Sequence, residues 1–126
     1  MTRVLALLAA LLATAAPLRA QQPPPATAPT TQVLATLTVN AGVERAAIMK
    51  VMPDEVRDTV KLYLDGKIQQ WYSRVDGRGV VFILNATSVA DAKALTDTLP
   101  LVKANLVTFD YVPLAPLGPL RLLIQP

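Results

Sequence analysis

The chain has 126 residues, with 12 Lys and Arg against 9 Asp and Glu, and it contains neither histidine nor cysteine. The missing cysteines exclude disulfides, thiol catalysis, Cys-based metal sites and a lipidated cysteine at a processed N-terminus. No metal-ligand spacing occurs among the remaining residue types.

Residues 1–20 carry one early charge, Arg3, then an uncharged apolar stretch from Val4 to Leu18 and the exit Leu18-Arg19-Ala20. These are the three regions of a cleavable secretory signal, with the cut expected after Ala20. The apolar run falls short of the roughly 20 residues that span a bilayer, and no stop-transfer pattern follows it. A periplasmic or secreted protein without stable membrane insertion after cleavage is therefore expected. Loss of Arg3 and Arg19 leaves ten basic side chains against nine acidic. No Lys and Arg cluster interleaved with aromatics remains, which argues against a nucleic-acid partner. Residues 21–31, QQPPPATAPTT, hold four prolines and no large apolar side chain, so they read as an extended tether. Residues 32–126 form one small domain, whose limited core would gain from pairing with a second copy.

Gln32 to Val39 alternates β-branched and apolar residues at period 2 and reads as the first strand. Asn40-Ala41-Gly42 breaks it, and Val43 to Met52 suggests a helical turn or two. Pro53 is expected to end that segment and to open a new helix. In this helix Val56, Val60, Tyr63 and Leu64 form the apolar stripe, and Gly66 is the stop. Ile68 to Val75, the turn Asp76-Gly77-Arg78-Gly79 and Val80 to Leu84 read as a β-hairpin. Ser88 and Asp91 resemble a capping box ahead of the stripe Val89, Ala92, Leu95, Leu99, which Pro100 terminates. The last strand is expected from Asn105 to Val112. The tail, Pro113 to Ile124, is rich in both proline and leucine and would pack across a partner or along a sheet edge.

The order β-α-β-β-α-β predicts an α+β, ferredoxin-like fold: a four-stranded antiparallel sheet with both helices on one face. The strands are apolar on both sides, especially Val80 to Leu84, so the second face needs a cover. A homodimer joined through its sheet faces would supply it.

Several short features then resemble the muconolactone isomerase-like family of the dimeric α+β barrels across roughly Gln32 to Pro116. They are the element order, Gly66-Lys67, Trp71-Tyr72-Ser73-Arg74, Gly77-Arg78, Leu99-Pro100-Leu101 and Pro113-Leu114. The resemblance implies a sheet-paired dimer with a small-molecule cleft between sheet and helices, and cofactor-free proton transfer on a lactone or enol acid. This chain differs in its leader, its lack of histidine and its additional proline-broken segment before the first long helix. A non-catalytic dimerisation or accessory module, and a cofactor-independent oxygenase of the same barrel superfamily, stand as alternatives.

Without histidine, proton transfer must fall to a carboxylate, Tyr or Lys. Strict alternation on the second strand would place Ile68, Gln70, Tyr72 and Arg74 on one face. Arg74 and Tyr72 could there hold an enolate or carboxylate oxygen, with Asp110 on the last strand as base. Gln70 and Trp71 are the expected ligand contacts. The simpler alternatives are Tyr72 at a dimer seam, an Arg74–Asp110 pair across the sheet, and Trp71 as a packing anchor. Lys50, Asp54, Glu55, Arg57, Asp58 and Lys61 fall at helical spacings and read as a solvated face.

Overall fold

The computed structural model describes residues 28–118 and residue 124. The expected signal, most of the tether and most of the far C-terminal tail lie outside the described residues.

Among the described residues, four strands and three helices follow in the order β1 (Gln32–Val39), α1 (Arg45–Leu64), β2 (Ile68–Ser73), β3 (Val80–Leu84), α2 (Val89–Thr96), α3 (Pro100–Lys103) and β4 (Val107–Leu114). The sheet runs β2-β3-β1-β4, and all its pairings are antiparallel. This is the predicted ferredoxin-like α+β arrangement.

Strand pleating assigns the two faces. Val33, Ala35 and Leu37 of β1, Phe82 and Leu84 of β3 and Val107 of β4 are buried toward the helices. They pack with Ile68, Ala92, Leu99 and Leu101 into two adjoining apolar clusters. Each fully buried aliphatic of this kind contributes about 1.5–3 kcal/mol relative to exposure. The intervening residues Leu34, Thr36, Val81, Ile83, Asp110 and Val112 fall on the opposite, open face.

Pro53 does not divide the first helical region, because α1 is continuous with Pro53 inside it. The proline removes the bond to the carbonyl of residue 49. Both Met49 and Pro53 are exposed, so water can reach that carbonyl. Packing on either side of the proline holds the helix together: Ile48, Val51 and Met52 lie against one cluster and Leu62 against the other.

The inward face of α1 also differs from expectation. Its fully buried residues are Glu55 and Thr59, whereas Val56, Val60, Tyr63 and Leu64 point outward, Leu64 being 76% exposed. Gly66, at φ +71°, closes the helix as foreseen. Its amide donates to the Tyr63 carbonyl at 3.0 Å, and Lys67 N–H reaches Leu62 at 2.8 Å, a Schellman-type ending.

The Ser88 cap forms, with the Asp91 amide donating to Ser88 Oγ at 3.0 Å. α2 ends at Thr96, short of the expected Leu99 and four residues before Pro100; Leu99 instead caps the one-turn α3, of which Pro100 is the first residue. β4 starts two residues later than expected and continues through Pro113 to Leu114. It is an edge strand, where a residue lacking N–H is tolerated.

Candidate functional site

A cavity of about 630 Å³ opens between the helix-facing side of the sheet and α1. Leu37, Ile48, Met52, Phe82, Leu101 and Val107 make up much of its apolar wall. Trp71, Tyr72, Ser73 and Arg74 border it from β2 and its exit, with Gly77 and Gly79 from the hairpin. The volume lies well inside the 300–1,000 Å³ range of ordinary ligand sites.

Glu55 is the acid of this cavity, and only 5% of it is exposed. Its Oε2 accepts the Leu101 backbone N–H at 2.8 Å, so α3 holds the side chain in place. Burial raises its pKa above the usual glutamate value; the Leu101 bond opposes that rise and the nearby Asp58 charge adds to it. Charge spacing in the sequence groups Glu55 with five solvated neighbours. The inward turn of α1 separates it from them, and the available hint was Glu55 followed at i+4 by the small Thr59, both on one helix face.

A β-bulge between Ile68 and Gln70 breaks the strict alternation expected for β2. Ile68 pairs with Leu84 and is buried on the helix side, whereas Gln70 and Tyr72 pair with Ile83 and Val81 on the open face. The Tyr72 hydroxyl donates to Gln70 Oε1 at 3.1 Å. Trp71 pairs with Phe82 and therefore faces the helices, where its ring stacks on Tyr63 at a centroid distance of 5.3 Å and an interplanar angle of 2°.

Arg74 is partly buried at the cavity border and forms an ion pair with Asp76 in the adjoining turn. The Arg78 backbone N–H, first, and Arg74, second, hold the Asp76 carboxyl below its ordinary range. Arg74 does not meet Asp110. Asp110 lies on β4 opposite Thr36, with β3 and β1 between it and β2, and it is exposed on the open face away from the cavity. The structure thus brings Trp71 and Arg74 to a cavity whose acid is Glu55; Tyr72 borders it from β2, but its pairing with Val81 turns its side chain to the other side of the sheet, with Gln70 and Asp110.

Gly79 permits the hairpin to close over β1. Its φ is +137°, and a Cβ there would stand 2.2 Å from the Leu37 carbonyl oxygen. Among the described residues no cluster of three or more His, Cys, Asp or Glu forms a metal-ligating group.

The fold defines the general class, a ferredoxin-like α+β sandwich with a cavity between sheet and helices. Among solved structures, 5-chloro-2-hydroxyhydroquinone dehydrochlorinase (TftG) from Burkholderia phenoliruptrix, in complex with 2,5-dihydroxybenzoquinone, shares this fold at a TM-score of 0.55 and 16% identity. The match covers 66% of this chain and 92% of that one. No family model and no curated protein sequence matches the chain.

Proposed function

We propose that this chain is an exported small-molecule-binding protein that isomerises a small lactone or enol acid by cofactor-free proton transfer. The observation that carries the reading is a buried, hydrogen-bonded Glu55 of raised pKa in a ligand-sized cavity. A carboxyl so placed can both take and return a proton, as general acid–base catalysis requires. Glu55 accepts a proton from the carbon next to the substrate carbonyl, and the C–H electron pair becomes the enolate double bond with its charge on oxygen. The proton then returns from Glu55 to a different carbon, which moves the double bond and restores the carboxylate. Arg74 donates one of its five N–H groups to Asp76, and the remaining donors can hold the developing oxyanion at the cavity border.

The cavity volume favours this reading over an accessory module with a solid interior. That a structure of the same fold was solved with a dihydroxybenzoquinone bound gives the ligand class some support. A homodimer is part of the proposal. The open face presents Leu34, Val81 and Ile83 beside the exposed Tyr72 and Val112, an apolar surface that a second copy would cover.

The test is to screen the full chain against lactones, enol acids and quinones for thermal stabilisation, then to follow deuterium exchange at the acidic carbon of the best ligand. Glu55→Gln should retain binding and abolish exchange. Undiminished exchange in that variant would remove Glu55 from the chemistry.

A further inference from the structure

Between α1 and β2 the cavity is bounded by Val56 on one side and Trp71 on the other. Neither is covered: Val56 is 51% exposed and Trp71 40%. The apolar surface continues past this lip. Val60, Tyr63 and Leu64 follow Val56 at i+4, i+7 and i+8 along α1, and all are exposed. Tyr63 is stacked flat against Trp71, so β2 and the helix together form a continuous apolar track leading out of the cavity.

Two further facts give the track an occupant. The polar side chains of the cavity sit at Glu55 and Thr59 on α1 and at Ser73 and Arg74 on β2 and its exit, so a polar head engages that part. The remaining wall is aliphatic and aromatic, and its volume suits a drug-sized molecule rather than a single ring. The helix stripe also cannot be explained as core, because α1 turns Glu55 and Thr59 inward in its place.

We infer that the ligand is an amphiphile, with a polar enolisable head at Glu55 and an aliphatic tail that leaves between Val56 and Trp71 to lie along Val60, Tyr63 and Leu64. This rests on the proposed role of the cavity and narrows it from small lactones or enol acids to those with an extended apolar substituent. Trp71 packs against the tail where it emerges, and the Tyr63 ring fixes the orientation of Trp71.

A homologous series of 4-alkylphenols, methyl to octyl, tests this with the full chain. The phenol hydroxyl stands in for an enol. Dissociation constants come from calorimetry, and the fluorescence of Trp71, the single tryptophan of the chain, reports passage through the lip. Each added methylene should tighten binding about two- to four-fold, as burial of one CH₂ implies. Val60→Asp and Leu64→Asp should flatten the increment for the distal methylenes. Val89→Asp, at an exposed apolar position on α2, should retain the full increment. Circular dichroism establishes that each variant is folded.

Binding independent of chain length would overturn the track while leaving the acid–base reading in place, as would an increment that survives both α1 substitutions. Failure of every phenol to bind would overturn the track together with the cavity as a ligand site. Loss of exchange in Glu55→Gln bears on the acid–base reading alone, so the two claims fail separately.

Discussion

Glu55 offers the sharpest test, because three substitutions separate its hydrogen bond from its charge. Glu55→Ala leaves the Leu101 N–H without its 2.8 Å partner. A buried orphan donor costs about 1–3 kcal/mol, which in a domain of this size lowers Tm by roughly 5–20 °C. Glu55→Gln keeps an acceptor of the same length and removes only the ionisation, so its stability near pH 4 should match that of the parent. The two must then diverge with pH. Burial raises the folded-state pKa of Glu55 above its ordinary value of 4.5, so its protonated form is the one favoured by folding. That contribution is complete below about pH 4.5 and is lost as pH rises through the folded pKa, at no more than about 1.4 kcal/mol per pH unit. Urea denaturation of both proteins at half-unit steps from pH 4 to 8 should show the parent losing stability relative to Glu55→Gln, with a plateau once the folded group has ionised. Asp58→Asn should narrow the window, because the Asp58 charge adds to the upward shift. Parallel stability curves for the parent and Glu55→Gln would refute burial of an ionisable group at this position.

Gly79→Ala should destabilise the domain by about 2–6 kcal/mol, combining backbone strain at φ +137° with a Cβ overlapping the Leu37 carbonyl, and Gly77→Asn, in open space at φ +68°, by less than about 2 kcal/mol. Thermal melts of the two variants distinguish the positions; equal losses would remove the close approach as the cause. Ile83→Asp on the open face should convert a sedimenting dimer to monomer without altering ligand affinity, and a monomeric parent protein would end the sheet-pairing proposal. Secretion of the full chain should yield a product whose N-terminal residue is Gln21 by mass spectrometry; retention of residues 1–20 would contradict the export proposal.

Local patterns carried most of the fold. Period-2 runs, the Asp76 to Gly79 turn, Ser88 with Asp91, and Gly66 each act through neighbours in the chain, and each produces its element, with β2 ending at Ser73 instead of Val75 and β4 starting at Val107 instead of Asn105. Sequence and structure part where tertiary packing outweighs a local signal. Pro53 is a helix breaker by backbone chemistry, yet it lies on the wet side of α1, where the lost bond is cheap and the packing of Ile48, Val51 and Met52 holds the helix. The strongest apolar stripe of α1 reads as its core face, but the helix instead buries Glu55 and Thr59. A glutamate among alternating charges has no sequence mark of burial, since its environment is made by Leu101, 46 residues away. The alternative Arg74–Asp110 pair does not form, because Asp76 is two residues distant and the intervening strands β3 and β1 close the longer route.

The bulge in β2 explains how one strand serves two surfaces. Without it, Ile68 would share a side with Gln70 and Tyr72, and either an isoleucine would leave the core or two polar residues would enter it. The irregularity between Ile68 and Gln70 lets Ile68 stay buried against Leu84 while Trp71 still turns toward the helices, with Ser73 following it. Trp71 and Ser73 then belong to the cavity side, and Gln70 and Tyr72 to the face open to a second copy. Paired substitution of Tyr72 and Arg74 therefore perturbs both surfaces at once and cannot separate binding from association. Changes at Glu55 and Ile83 lie on opposite sides of the sheet and can. Deleting Gln69, the extra residue of the bulge, should leave a regular strand with Ile68 still opposite Leu84 and Trp71 still opposite Phe82 on the helix side. Thermal stability and Trp71 emission close to the parent's are the expected result, and a large loss of stability with red-shifted Trp71 emission would show that this register does not set the two faces of β2.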